Sequence, residues 1–347
     1  MTAESTAPRP VWEAAVLGRP GPDGHVTCEL CPEACDLAPG QTGVCAVRRN
    51  HDGALQTSTS AASVQHVDAV ERKPFFHVRP GGRVLTLAAP GCTFRCNYCV
   101  NHRLSQYGRD AGISWTARPV QPADLVARAR ADGLMLGLSY AEPALAIELT
   151  LGLAEAAGPD GPPVLWKSNG YLTAAAADLV APALTAVNID VKAAREAPHR
   201  RLTGAPLAPV LRTVERLRAA GVWVEVTTPL IPSVSDSDDD VRAIARWLAG
   251  LDPAIPWHLV RFVPDYRMRR PDPTAPERLR RAAQLAREAG IQQVYCERAL
   301  GPDGRSTRCP RCDTRVVERG VWETLSDDLV AGTCPACHTT IPGRWSV

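Results

Sequence analysis

Three cysteines in one eight-residue stretch, Cys92-Thr-Phe-Arg-Cys96-Asn-Tyr-Cys99, constrain this chain more than any other feature. Thiolates at these spacings can grip three irons of a [4Fe-4S] cube and leave the fourth iron without a protein ligand. An open iron can bind a small molecule, so the loop must stand where a ligand can enter. Zinc is the ordinary alternative for clustered cysteines in a chain without an export signal. Structural zinc, however, takes paired Cys-x-x-Cys knuckles that close four ligands, and no fourth cysteine lies near this loop.

The twelve cysteines divide along the chain. Cys28, Cys31, Cys35 and Cys45 precede the central three, Cys309, Cys312, Cys334 and Cys337 follow them, and Cys296 stands alone. Four, three and four suggest two closed metal sites flanking an open one. The pairs Cys309-Pro-Arg-Cys312 and Cys334-Pro-Ala-Cys337 have zinc-ribbon spacing, and the expectation there is Zn. The N-terminal C-x2-C-x3-C-x9-C suits zinc or an auxiliary iron–sulfur cluster, with its small closed form favouring zinc. Cys296, at the end of an expected last strand, reads as a buried apolar thiol.

Between about residues 81 and 295, short β-rich runs alternate with amphipathic ones, the pattern of a parallel sheet with crossover helices. Strands are expected at 84–88, 134–138, 163–166, 186–191, 222–228, 257–262 and finally 291–296. Helices are expected near 122–131, 144–157, 174–181, 207–220, 239–249 and 275–289. The fold class is therefore α/β, a partial (β/α)6 TIM-type barrel with an N-terminal four-cysteine metal-binding module and a C-terminal zinc-ribbon-like module. Cys92, Glu142, Asn169, Lys192 and Thr228 follow or end successive strands, with His258 and Arg261 on the sixth. Barrels build their sites at such carboxyl ends, so these residues should converge on one mouth.

Three domains follow: 1–80, a tail over 1–20 and the four-cysteine module; 81–295, the barrel; and 296–347, a linker and the second four-cysteine module. Residues 28–50 are too poor in apolar side chains to fold alone, and a metal would supply the missing stability. Net charge +2 supports neither a nucleic-acid coat nor a membrane-surface stripe. The segment between the C-terminal knuckles carries Glu318, Glu323, Asp327 and Asp328 without a basic, aromatic surface, which speaks for structural support or protein docking. No run of about 18 apolar residues occurs and no signal pattern opens the chain, so the expectation is a cytoplasmic protein with no membrane partner. Only Lys73, Lys167 and Lys192 are lysines among 39 basic residues. A compact ammonium differs chemically from a guanidinium fork, which draws attention to these three.

Taken with the runs VERKPFFHV, SYAEPALAIE, KSNGYL, NIDVKA, RRLTG, GVWVEVTTPLIP and WHLVRFVPDYRM, the cysteine motif resembles the radical S-adenosylmethionine (SAM) superfamily. The resemblance covers nearly the whole chain and is to the pyruvate formate-lyase activating enzyme group, within it to the radical SAM member of the AmmeMemoRadiSam system. It implies that Cys92, Cys96 and Cys99 ligate a [4Fe-4S] cluster whose open iron takes the amino and carboxylate groups of SAM. Glu142 would accept from the SAM ammonium, Ser168 and Asn169 would contact the ribose, Asp190 and Lys192 would contact SAM, and Ile231 would face adenine. Tyr98 would pack beside the adenine, or serve as a core aromatic.

Departures from the group are visible. Ser139-Tyr140-Ala141 precede Glu142 where relatives often carry a Gly-Gly turn, Val100-Asn101-His102 replaces a Gln-Asn-Trp-like run, and Val263 stands where activating enzymes tend to place a histidine. His258 and Arg261 are left for the substrate side. The chemistry implied is reductive cleavage of SAM by an electron from a flavodoxin- or ferredoxin-type donor, giving a 5'-deoxyadenosyl radical that abstracts hydrogen. A protein substrate is expected by analogy with the activases; a small molecule, or a non-catalytic iron–sulfur or zinc interaction protein, is the alternative.

Overall fold

The computed structural model describes residues 8–296 and 300–346. Eight strands form its main sheet: β1 (Val64–Ala69), β2 (Arg83–Ala88), β3 (Met135–Leu138), β4 (Val164–Ser168), β5 (Ala186–Asp190), β6 (Trp223–Leu230), β7 (Trp257–Arg261) and β8 (Val294–Cys296). They lie side by side in sequence order, with β1 antiparallel to β2 and every later pair parallel. Helices α1 (Pro122–Ala131), α2 (Ile147–Ala157), α3 (Ala174–Val180), α4 (Glu196–Thr203), α5 (Ala208–Ala219), α6 (Asp238–Leu251) and α7 (Pro276–Glu288) make the crossovers. Strands covered on both faces read as continuous apolar runs, and β3 and β6 are buried at every position.

The helices start where capping chemistry allows. The Thr173 side chain accepts from Ala176 N ahead of α3, and Ser237 does the same for Asp240 N ahead of α6, whose first turn holds Asp238, Asp239 and Asp240. Gly204, in the left-handed region, closes α4. Two elements lie outside the sequence expectation. Strand β1, VQHVDA, places polar residues at three of its six positions and reads as loop; α4 is polar and carries Pro198 in its first turn, where proline is tolerated. The last parallel strand is shorter than expected, and the helix expected from 144 begins at Ile147 after a 3-10 turn.

Towards the amino ends of the strands, a buried polar network closes the sheet. The segment 73–78 is buried throughout. The backbone N–H groups of Phe76 and His77 donate to Glu225 on β6, and His258 Nε2 lies 2.6 Å from Glu225 Oε2. His77 Nδ1 is 2.7 Å from the Pro342 carbonyl oxygen, and its Nε2 is 2.7 Å from Tyr295 Oη. A carbonyl can only accept, so Nδ1 carries a proton.

Small antiparallel sheets flank this core. Residues 8–20, expected as a tail, are held: Glu13–Ala14 pairs with Gln56–Thr57, Gly18–Pro20 pairs with Val26–Cys28, and Val16 N donates to Glu148. Residues 1–7 of that tail lie outside the described residues, as do 297–299 at the start of the expected linker. Arg305 and Ser306, further along the linker, are buried. The C-terminal module, strands Thr307–Arg308, Arg315–Arg319 and Thr324–Asp327, meets the network from below, with Arg319 Nη2 donating to the Phe76 carbonyl at 2.5 Å. The N-terminal module sits instead at the carboxyl ends, where Arg109 donates through Nε and Nη2 to the Val44 carbonyl.

Burial lowers the His77 pKa from the ordinary 6.5 to about 4. A depressed folded value means that His77 stabilises the fold fully above 6.5 and progressively less as pH falls towards 4. Thermal unfolding followed by circular dichroism should show the melting temperature falling over that window, and His77→Gln should make the fall shallower while lowering the melting temperature at neutral pH.

Candidate functional site

At the carboxyl ends of the parallel strands lies a cavity of ≈ 320 Å³ lined by Cys92, Cys96 and Cys99 with residues from the next three strand ends. Gly91 delivers the cysteine loop. Its φ of +107 belongs to glycine, and a Cβ there would come within 3.1 Å of Val47 and 3.2 Å of Leu145. The loop is anchored to α4 by Arg95 N donating to the Thr203 carbonyl at 2.7 Å. Burial pushes the Cys92 thiol well up and Cys96 up to about 12. Such thiols ionise readily when a metal supplies the compensating charge.

Glu142 projects from the turn after β3 and is buried. It accepts from Ser168 Oγ at 2.6 Å, Asn169 N at 2.9 Å and Ala144 N at 3.0 Å. Burial nevertheless raises its pKa to about 7, the hydrogen bonds opposing the shift. Two carboxylate oxygens offer about four acceptor sites, so one remains for a ligand donor. Asn169 donates to Thr93 Oγ1 at 2.9 Å, fixing its amide beside Cys92. Asp190, ending β5, stands between two lysines: Lys192 Nζ at 2.9 Å, and Lys167 Nζ, which also reaches Asn188 Oδ1 at 2.8 Å. Burial works against its charge, but the two ammoniums hold it at about 2.

Of the residues singled out in the sequence, Cys92, Cys96, Cys99, Tyr98, Glu142, Ser168, Asn169, Asp190 and Lys192 all border this cavity. Ile231 packs behind it with Tyr98 and Phe262. His258 and Arg261 are not among its lining residues. His258 is buried against Glu225 in the network below, and the Arg261 side chain donates to the Thr274 carbonyl. Cys296 is buried, its Sγ 3.7 Å from the Leu279 carbonyl oxygen.

Sequence reasoning overlooked a rim cluster on β1. Tyr140 adopts φ +69, the left-handed conformation that favours glycine. Its hydroxyl donates to Asp68 Oδ2 at 2.9 Å, and Asp68 also receives Lys73 Nζ at 2.6 Å and His66 Nε2 at 2.5 Å. These bonds offset a backbone strain of about 1–2 kcal/mol. The rarity of Lys73 was the one signal that could have led there.

The C-terminal four cysteines form a compact set whose Sγ atoms all lie within 4.8 Å of one another, with Cys309–Cys337 at 3.5 Å and Cys312–Cys334 at 3.6 Å. The Thr339 hydroxyl holds Cys337 down at about 6, so a thiolate is ready for a cation. The N-terminal four line a closed pocket together with Arg48.

Sheet and site together define an α/β protein in which three loop cysteines share one cavity with a buried carboxylate and a carboxylate–ammonium cluster. The family model for the radical SAM superfamily matches residues 87–248. An uncharacterized protein of Methanocaldococcus jannaschii is 31% identical over 323 residues, 92% of this chain and 96% of its own. The isethionate sulfite-lyase activating enzyme of Oleidesulfovibrio alaskensis is 28% identical over 48% of this chain, which spans 54% of that relative. Among solved structures, a radical SAM methyltransferase from Sphaerobacter thermophilus aligns at TM-score 0.48 and 21% identity, over 63% of this chain and 67% of its own. The chain belongs to the radical SAM superfamily, and with it comes radical chemistry at a [4Fe-4S] cluster with SAM.

Removing the carboxylate of Asp190 would take from Lys192 and Lys167 the buried charge they share. Asp190→Asn should cost about 3 kcal/mol in denaturant unfolding, and more than Lys192→Met, which leaves the Lys167 pair in place.

Proposed function

We propose that this protein is an activase-type radical SAM enzyme that abstracts hydrogen from a protein substrate. The observation that carries the reading is the convergence of Cys92, Cys96 and Cys99 with Glu142, Asn169, Asp190 and Lys192 on one cavity. When bound there, a [4Fe-4S] cluster and SAM supply one-electron cleavage to a 5'-deoxyadenosyl radical. The three cysteines would hold the cluster. Glu142, with its spare acceptor site, would take a hydrogen bond from the SAM amino group, Ser168 and Asn169 would meet the ribose, and Asp190 would orient Lys192 towards the ligand. Tyr98, with Ile231 behind it, would give the adenine an apolar wall.

The protein-substrate reading draws support from the activating enzymes among the relatives and from the cavity itself. At ≈ 320 Å³ it is at the small end for a single ligand site, so a substrate would have to reach the reactive carbon from outside. Val100 and Val263, at the two loops expected to meet a substrate, are 65% and 54% exposed and offer apolar contact to a docked segment. We further read the sheet as a partial barrel, the C-terminal cysteines as a zinc ribbon, and a flavodoxin- or ferredoxin-type protein as the donor. We read the C-terminal module, beneath the network at the far end of the strands, as structural support.

Anaerobically reconstituted protein should convert SAM to 5'-deoxyadenosine with dithionite, and the Cys92/Cys96/Cys99→Ala variant should not; equal turnover by both would end the proposal. Because an ionised Glu142 accepts a hydrogen bond from the SAM amino group more strongly than a neutral carboxyl does, SAM affinity should rise with pH through about 7. Glu142→Gln should flatten that profile and weaken binding at pH 8 by about tenfold, the equivalent of one charge-assisted hydrogen bond. Isothermal titration across the pH range would read both.

A further inference from the structure

The two outer cysteine groups differ in construction. A single ion holding four thiolates at about 2.3 Å draws the sulfurs to within about 4 Å of each other. The C-terminal set has that form. Among the described residues, it is the set whose ligand atoms crowd so closely. Cys28, Cys31, Cys35 and Cys45 are instead distributed around a closed pocket whose remaining wall is mainly leucine. Sulfurs bound to the corners of an iron–sulfur cube stand further apart than those sharing one ion.

Arg48 supplies the independent observation. It borders the same pocket at 1% exposure, and one terminal nitrogen, Nη2, is engaged with the Val16 carbonyl and Glu148 Oε1. Its Nε and Nη1 are buried without a hydrogen-bond partner. Leaving two guanidinium donors unsatisfied in an apolar wall is costly, and their presence points to acceptors belonging to a bound group. A cluster provides them as inorganic sulfides and thiolates, and hydrogen bonds to sulfur are a recognised way of setting its potential.

We propose that Cys28, Cys31, Cys35 and Cys45 ligate a second, fully coordinated [4Fe-4S] cluster, hydrogen-bonded by Arg48. This replaces the zinc that the small, closed form of the motif favoured. The pocket adjoins the central cysteine loop: the Cys45 carbonyl oxygen lies 3.4 Å from the position a Cβ on Gly91 would occupy, one residue before Cys92. Arg109 ties the two together, donating from Nη1 to the Phe94 carbonyl and from Nε and Nη2 to the Val44 carbonyl. Two one-electron centres would therefore be neighbours.

The test uses the full chain, reconstituted anaerobically with iron and sulfide. Wild type should hold about eight irons and eight sulfides, and the Cys92/Cys96/Cys99→Ala variant about four of each. That variant isolates the second site, so its result stands whether or not SAM is cleaved at the first. On reduction it should show the electron paramagnetic resonance of a [4Fe-4S]1+ centre that does not change when SAM is added. An iron-free triple variant, or about two zincs per wild-type chain with only about four irons, would overturn the proposal. Arg48→Gln, with its fold checked by circular dichroism, supplies a second arm that keeps every cysteine. In the triple-variant background it should retain the iron and move the midpoint potential to more negative values, because donors to sulfur are lost. An unchanged potential would remove Arg48 from the site.

Discussion

Parallel pairing is the constraint on which the rest of this molecule depends. Seven strands run the same way, and each pair is locked in register by its backbone hydrogen bonds, so their carboxyl ends must finish at a common edge. Residues a hundred positions apart in sequence, such as Cys92 and Lys192, become neighbours without any direct bond between them. A one-residue slip in register would turn Asp190 or Ser168 to the opposite face of the sheet and dissolve the site.

The same geometry forces a solution at the other end of the strands. Glu225 is fully buried, and burial alone would raise its pKa; its hydrogen bonds with His258 and the Phe76 backbone hold it below the ordinary value. A carboxylate kept charged inside the sheet organises the 73–78 segment, β7, β8 and, through Arg319, the C-terminal module around it. Cavity and network thus divide the sheet into a ligand-facing end and a structural end. The two outer modules follow that division, the N-terminal one beside the cysteine loop and the C-terminal one beneath the network.

Much of this was legible in the sequence because apolar runs and cysteine spacing are local signals. The expected strand at 186–191 corresponds to Ala186–Asp190 and the expected helix at 122–131 to Pro122–Ala131. Glu142, Asn169 and Lys192 could be placed because each follows a strand. What escaped depended on partners distant in sequence. His258 looked like a substrate-side residue because it lies on a strand, but its role is set by Glu225, 33 positions away. The β1 cluster was invisible because polar residues there answer to Tyr140, over 70 positions later. The N-terminal tail is held by Glu148 and by pairing with strands at 26–28 and 54–57. Spacing also could not separate one ion from a cluster at Cys28–Cys45; the unpartnered Arg48 donors are the observation from which the cluster is proposed.

The central claim is that the open corner of the Cys92–Cys96–Cys99 cluster faces the Glu142 cavity and binds SAM through its amino and carboxylate groups. The most direct measurement is electron–nuclear double resonance on the reduced protein with SAM labelled by 15N at the amino group. A resolved 15N coupling to the cluster, absent with unlabelled SAM, is the result expected. A cluster signal without that coupling, at saturating SAM, would contradict the account.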